Sequence, residues 1–301
     1  MINGILNIYK EKGYTSHDVV ARLRGIFGQK KIGHTGTLDP DAEGVLPVCL
    51  GRATKVCDLL TDKDKTYEAV LLIGKETDTQ DITGTVLKEC DPSEITEETA
   101  KKCIESFIGE YDQIPPMYSA LKVNGKKLYE LAREGKVVER KSRKVQIYDI
   151  RIKEMKLPRI RMEVSCSKGT YIRTIIDDLG KILKTGAVMT ALCRTAACGY
   201  NLADSITLET ARELAEKGEI SEHIMRTETL FAGYRKIYVS DAQAKRFSNG
   251  GELDMSRTAL AKAKAQDKEI IRVSDRQGKF LGLGIADNES GQLKILKLFL
   301  N

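Results

Sequence analysis

Residues 33–44 read GHTGTLDPDAEG. Three glycines and a proline in so short a stretch forbid a helix and interrupt any strand, so an irregular loop must lie here with regular structure on either side. Asp39 precedes Pro40, which biases it toward extended backbone and presents its carboxylate on the loop. Before the loop, Thr15 and Asp18 form a capping box that opens a helix to about Phe27, with Val19, Val20, Leu23, Ile26 and Phe27 along one side. After it, KTYEAVLLI at 65–73 alternates as a half-buried strand does, placing Tyr67, Ala69, Leu71 and Ile73 on one face. TDTQDITG at 77–84 reads as a turn into a second strand near 84–89.

Helical spacing returns at 96–107, and 115–135 reads as loop, Asn-Gly turn and short basic helix. Strand patterns follow at 145–153 and 160–166, then a helix over 172–184 whose stripe is Ile172, Ile175, Ile176, Leu179, Ile182 and Leu183. Arg173 lies off that stripe in the first turn, so core packing does not explain it. Further helices are expected near 187–193, 206–217 and 221–230. Past Gly233 the texture changes to short strands near 236–239, 269–274, 279–285 and 292–299, with one helix near 241–248, the pattern of a small β-rich domain. Strands and helices mix without regular alternation, so the fold class is α+β rather than a doubly wound sheet.

Composition narrows the function. Charged residues make up 31% and hydrophobic residues 41%, a globular balance, and no apolar run is long enough to span a membrane. The first residues lack the basic-then-apolar layout of an export signal, and seven scattered cysteines form no CxxC pair, so a cytoplasmic protein with reduced thiols is expected. His17, His34 and His223 form no metal-ligating cluster, and the dinucleotide and P-loop glycine motifs are missing. The net charge is +6, but its placement says more. Residues 122–144 hold 9 Lys+Arg against 3 Asp+Glu and residues 235–301 hold 13 against 8, two basic islands on a slightly acidic body. Such islands suit a ligand with an extended polyanionic backbone, or else two solvated faces.

Taken alone, the loop admits two plain readings. It is an acidic surface turn, or a calcium loop with Asp39, Asp41 and Glu43 at the first, third and fifth positions. The twelfth position is then Leu50 instead of a bidentate glutamate, which weakens the second.

GHTGTLDPDAEGVLPVCLGRATK closely resembles the central motif of the TruB family of pseudouridine synthases. Four more segments resemble that family in the same order: GILNIYKEKGYTSHDVV at 4–20, KTYEAVLLIGKETDTQD at 65–81, PPMYSALKVNGKKLYELAR at 115–133 and CSKGTYIRTIIDDLG at 166–180. Two departures stand out: a turn proline is missing from KEKG at Lys10–Gly13, and the usual Arg-Arg-Thr reads Cys193-Arg194-Thr195.

The resemblance implies isomerisation of a uridine in RNA to its C-glycoside, with no metal or cofactor. Asp39 corresponds to the family's nucleophile, which attacks either C6 of the uracil or C1′ of the ribose. Arg173 corresponds to the arginine beside it, a fixed cation that keeps a partly desolvated carboxylate ionised. Tyr67 matches the aromatic on the target base and is a candidate for handling the C5 proton. Tyr171 and Leu192 match residues lining the uracil pocket, and His34 matches the residue that fills the space left by a flipped base. Lys55 and Asp81 match further pocket-region positions.

The implied architecture is a pseudouridine synthase domain over 1–234, with a mixed, mainly antiparallel sheet flanked by helices and a thumb-like RNA-binding insertion at about 110–145. A small PUA-like RNA-binding domain over 235–301 completes it. Guide-RNA-dependent relatives lack the 115–133 segment, so the resemblance is to the stand-alone bacterial type, a monomer acting on the uridine at position 55 in the T arm of tRNA. The competing reading is a non-catalytic RNA-binding protein or tRNA folding chaperone on the same fold. Retention of Asp39, Tyr67 and Arg173 together argues against it.

Overall fold

A computed structural model describes residues 1–123 and 125–299. Its main element is a ten-stranded sheet, in which eight strands run in the order Ile224–Met225, Gly4–Lys10, Glu43–Leu50, Ala187–Ala197, Lys65–Ile73, Arg159–Cys166, Arg143–Lys156 and Gly109–Gln113. Ile32–His34 joins Glu43–Leu50, and Tyr200–Asn201 joins Ala187–Ala197. Among the described residues every pairing between these strands is antiparallel except one: Glu43 and Gly44 run parallel to Cys193 and Arg194. Gly44 has φ +104 there, and a Cβ would collide with the Arg194 backbone, so only glycine permits the crossing.

Helix Ser16–Phe27 begins at the Thr15–Asp18 capping box, and its Val19, Val20 and Leu23 pack with Leu6, Ile8 and Leu46 of the sheet and Leu208 and Ala211 of helix Leu208–Lys217. Each such buried aliphatic side chain contributes about 1.5–3 kcal/mol. A second core joins Ala69 and Leu71 of the sheet to Ala100 and Ile104 of helix Glu97–Glu105 and to Ile175, Ile176 and Leu179 of helix Ile172–Ile182. Gly180 lets that last helix approach the Ala187 backbone more closely than any side chain would allow.

Two expected helices are absent. Residues 187–193 belong to the central strand Ala187–Ala197, paired along its length with Lys65–Ile73. Alanine, leucine and methionine favour helices, but pairing in mid-sheet overrides that weak preference, and successive burial of Ala187 to Met189 followed by a register shift hides the alternation. Residues 221–230 form 3-10 turns at Ile220–His223 and Thr227–Phe231 around the short strand Ile224–Met225, which caps the sheet edge against Ile5 and Leu6. The expected Asn-Gly turn falls partly outside the described residues at Asn124, but strands Lys122–Val123 and Lys126–Lys127 pair across it and lead into helix Leu128–Arg133.

The C-terminal part folds into a curled five-stranded sheet in the order Arg235–Tyr238, Ile270–Ser274, Phe280–Asp287, Gln292–Leu298 and Leu253–Asp254, with helix Asp241–Ser248 capped by Ser240. Phe247, Ile271, Val273 and Leu293 fill its own core. Its other apolar face is not free: Leu283 and Phe299 pack with Phe231, Ile5, Val45, Val56 and Leu60 of the larger sheet's surroundings. Across the same seam Lys297 pairs with Asp58 at 2.7 Å. Among the described residues no helix is long and apolar enough to cross a membrane.

Candidate active site

The loop of residues 33–44 leaves the sheet between Ile32–His34 and Glu43–Leu50, and it is tied down from three directions. Ser16, at the start of the first helix, accepts from the Leu38 amide through its Oγ at 2.9 Å. The Gly13 amide donates to the Pro40 carbonyl at 2.9 Å. Lys10, fully buried, donates its Nζ to the carbonyls of Ala42 (2.5 Å), Pro40 (3.1 Å) and Glu11 (3.2 Å). Burial pushes the Lys10 ammonium down to about 8, against the opposing pull of Asp39, Asp41 and Glu43. A cation thus stands behind the acidic loop while its side chain holds the loop's backbone.

Asp39 meets Arg173 in a two-pronged contact, Nε to Oδ2 at 3.1 Å and Nη2 to Oδ1 at 3.3 Å. The remaining guanidinium hydrogens are also taken: Nη2 donates to the Tyr118 carbonyl at 2.9 Å, and Nη1 donates to the Thr79 carbonyl at 3.1 Å and faces Asp81 Oδ2 at 3.5 Å. The Arg173 side chain is 5% exposed, that of Asp39 40%. The arginine is therefore a fixture of the protein, and the carboxylate in front of it is open to a ligand. Burial raises the Asp39 carboxyl above the usual range, Arg173 pulls it back, and the neighbouring Asp81 raises it again. Such a carboxylate is held rigidly against a fixed counter-cation and is more basic than an ordinary aspartate, as suits a nucleophile.

Tyr67 comes from strand Lys65–Ile73 and is 8% exposed. Burial raises its phenol, while Arg194, within hydrogen-bonding reach of the hydroxyl, pulls it the other way. Arg194 is the cross-strand neighbour of Tyr67, is 1% exposed, and donates to the Val45 carbonyl at 2.7 Å and the Gly36 carbonyl at 3.3 Å. It thereby links the tyrosine to the base of the acidic loop. Tyr171, at the N-terminus of the Arg173 helix, is fixed by exchange of hydrogen bonds with the Gln113 amide (2.8 and 3.0 Å), and the Arg143 guanidinium lies 5.0 Å over its ring.

These residues surround two adjoining hollows of about 650 and 570 Å³ that share Asp39, Ser119, Arg173 and Leu192. Asp81 lines the first; Tyr67, Tyr171 and Arg194 line the second. Together they can take a ligand of nucleotide size. The mouth is basic and aromatic. Lys127, Tyr129 and Arg133, from the hairpin and helix of the first basic island, face the first hollow, with Lys127 Nζ and the Arg133 guanidinium 5.3 and 5.5 Å from the Tyr129 ring. Arg143, Lys144 and Lys168 face the second.

Two expected site residues do not line the hollows. Lys55 is on the turn Gly51–Val56, beyond the end of strand Glu43–Leu50 remote from the loop, and its Nζ donates to the Leu298 carbonyl at 2.9 Å in the seam with the C-terminal sheet. His34 does not line either hollow; its Nδ1 accepts from the Gly36 amide at 3.3 Å and its ring stands edge-on to His17, which does line the cleft, at 5.3 Å. Burial pushes the His34 imidazole down to about 4, so it is neutral at physiological pH. Nor is Asp41 turned to a shared cation: it is exposed, Asp39 is committed to Arg173, and Glu43 begins a strand. Lys10 and Arg194 carry structural weight that sequence reasoning noticed only as neighbours of departures from a motif.

Residues 24–172 match the family model for the N-terminal domain of TruB family pseudouridylate synthases, and residues 173–232 match the model for the tRNA pseudouridylate synthase B C-terminal domain. The chain is 49% identical over 308 residues to tRNA pseudouridine synthase B of Lachnoclostridium phytofermentans, covering 99% of this chain and 100% of that protein. It is 42% identical over 299 residues to the protein of the same name from Clostridium kluyveri, with the same coverage. In fold it is similar to a chain of a crystallised Cbf5–Nop10–Gar1 complex, with a TM-score of 0.73 at 24% identity, covering 99% of this chain and 85% of that one. The similarity runs over 99% of this chain and so takes in both the mixed, mainly antiparallel sheet with its flanking helices and the curled, PUA-like C-terminal sheet.

Proposed function

Because this chain belongs to the TruB family of pseudouridylate synthases, we propose that it isomerises the uridine at position 55 in the T arm of tRNA to pseudouridine, with Asp39 as nucleophile. The observation that carries this reading is the Arg173–Asp39 fork, a solvent-accessible carboxylate held against a buried guanidinium at the meeting point of two hollows that together take a ligand of nucleotide size.

The uridine leaves its stack to enter the cleft, at a cost of a few kcal/mol. Asp39 adds to it, at C6 of the base or at C1′ of the ribose, and the N1–C1′ bond breaks. The uracil turns, C5 bonds to C1′, the C5 proton departs and N1 gains one. Every atom and electron of the uridine is conserved, so the reaction draws on no oxidant, reductant or group donor. Arg173, anchored to Thr79, Tyr118 and Asp81, stays in place when Asp39 loses its charge and receives the carboxylate again when it is released. Tyr67, steadied by Arg194, packs on the base and is the candidate for handling the C5 proton; Tyr171 and Leu192 wall the pocket.

The division of labour follows the charge. Residues 1–234 carry the chemistry with a thumb at about 110–145, and residues 235–301 add a second basic contact with the RNA. The protein acts as a monomer in the cytoplasm, without a guide RNA.

Tritium release from a tRNA transcript labelled at uridine C5 tests the reading. Wild-type protein should release tritium, Asp39→Asn should not while still binding the RNA, and replacing U55 by cytidine should abolish release. Release by the Asp39→Asn variant over several turnovers would remove Asp39 as nucleophile. Release from the U55-substituted transcript would overturn the target, and tight binding with no release from wild type would leave a folding chaperone.

A further inference from the structure

Gln80 sits between the two residues that contact Arg173 from its outer side, Thr79 and Asp81. Its backbone has φ +65, a conformation that residues other than glycine seldom adopt. The side chain explains why it is held there. Gln80 Nε2 donates to Asp177 Oδ2 at 2.8 Å, and Gln80 Oε1 accepts from Thr174 Oγ1 at 3.0 Å. Thr174 and Asp177 belong to the helix that carries Arg173, and Asp177 lies one turn beyond it on the same face. Asp177 is buried and held in turn by Lys181 at 2.7 Å, and Lys181 also contacts Asp178 at 3.0 Å.

The backbone of the turn is pinned at the same point. Gln80 donates its amide to the Thr77 carbonyl at 3.2 Å and accepts from the Met189 amide at 3.2 Å, and Ile82 donates to the Met189 carbonyl at 2.8 Å. One residue thus connects the turn, the central strand Ala187–Ala197 and the Arg173 helix. The left-handed turn at Gln80 directs the Thr79 carbonyl and the Asp81 carboxylate to the same guanidinium nitrogen.

We propose that Gln80 is a positioning residue for the reaction: its carboxamide, clamped by Thr174 and Asp177, fixes the Thr79–Asp81 turn and so sets the orientation in which Arg173 presents Asp39 to the uridine. Only the kinetic part of this inference rests on the reading of Asp39 as nucleophile; the clamp itself is testable without substrate.

Gln80→Gly keeps the left-handed backbone available and removes the carboxamide, so it separates the clamp from backbone strain. At saturating enzyme the single-turnover rate should fall by about tenfold to a hundredfold, the scale of a small misplacement of reacting groups, with RNA affinity within about twofold of wild type. Carboxyl-carbon NMR of aspartate-labelled protein should show Asp39 titrating at higher pH in the glycine variant, because a loosened Arg173 stabilises the carboxylate less. A second pair guards against simple misfolding. Gln80→Glu sets two carboxylates against each other and should slow the reaction, while Gln80→Glu with Asp177→Asn restores a donor–acceptor match and should recover most of the rate.

Wild-type rate with an unmoved Asp39 titration in Gln80→Gly would overturn the clamp, as would a double variant no faster than Gln80→Glu alone. If wild type forms no pseudouridine but the Asp39 titration still moves, the function fails and the clamp stands.

Discussion

Arg173→Lys keeps the charge and removes the geometry. In the native site the guanidinium satisfies both oxygens of Asp39, the Thr79 and Tyr118 carbonyls, and the nearer oxygen of Asp81. An ammonium has three hydrogens on one atom, so it cannot bridge both Asp39 oxygens and also reach the two carbonyls. At a site where the arginine side chain is 5% exposed, water does not readily take the vacated positions. Losing one charge-assisted bond costs about 1.5–3 kcal/mol, and leaving one buried carbonyl unpaired adds about 1–3 kcal/mol. If about 3–4 kcal/mol of this is felt in the transition state, the single-turnover rate falls roughly a hundred- to a thousandfold. RNA affinity should hardly change, because the buried guanidinium presents almost no surface to the RNA. The assay is tritium release at saturating enzyme beside filter binding of the same transcript. A rate within about threefold of wild type would refute the reasoning, and so would a rate loss matched by an equal loss of affinity.

The pH profile should show a raised acid limb. Asp39 must be ionised to attack, and its carboxyl lies above the usual aspartate value in the folded protein, so the rate rises with pH through a midpoint higher than 3.8; a rate still maximal near that pH would contradict the cause given. Arg194→Lys cannot serve the Val45 and Gly36 carbonyls and the Tyr67 hydroxyl at once, so single-turnover rate should fall by an order of magnitude or more at unchanged affinity. Association with tRNA should weaken steeply with salt, and Lys127→Ala with Arg133→Ala should reduce the log–log slope by about 1 to 2; an unaltered slope would place the RNA elsewhere. Lys10 is expected to make stability depend on pH: its ammonium is depressed to about 8 in the folded chain against 10.5 free, so the unfolded state binds more protons in that window and this group adds stability as pH rises through it. Lys10→Met should abolish that increment in denaturant melts between about pH 8 and 10.

What could be read in the chain beforehand depended on how each residue is stabilised. Helix Ser16–Phe27 and strand Lys65–Ile73 were legible because each buries one face only, leaving a capping box and stripe in the first and clean alternation in the second. Strands Gly4–Lys10 and Glu43–Leu50 bury both faces, so no period survives; Ala187–Ala197 buries Ala187 to Met189 in succession and then shifts register twice, and it resembled a helix by composition. The site divides in the same way. Asp39 was marked by its proline and Arg173 by standing off an apolar stripe. Lys10 and Arg194 left no such mark, because their partners are carbonyls of Ala42, Pro40, Val45 and Gly36, supplied by backbone that any residue type could provide. Arg194 reaches across 149 residues to Val45, at the parallel crossing in the main sheet, which Gly44 makes possible. Lys55 shows the converse: one strand's length separates the acidic loop from the turn that carries it, and only the docking of the C-terminal sheet decides which surface its ammonium meets. The chemistry of this chain is written locally in the groups that react. The groups that hold them are specified by topology, which is why substitutions at Lys10, Gln80 and Arg194 probe the site in a way that motif residues alone do not.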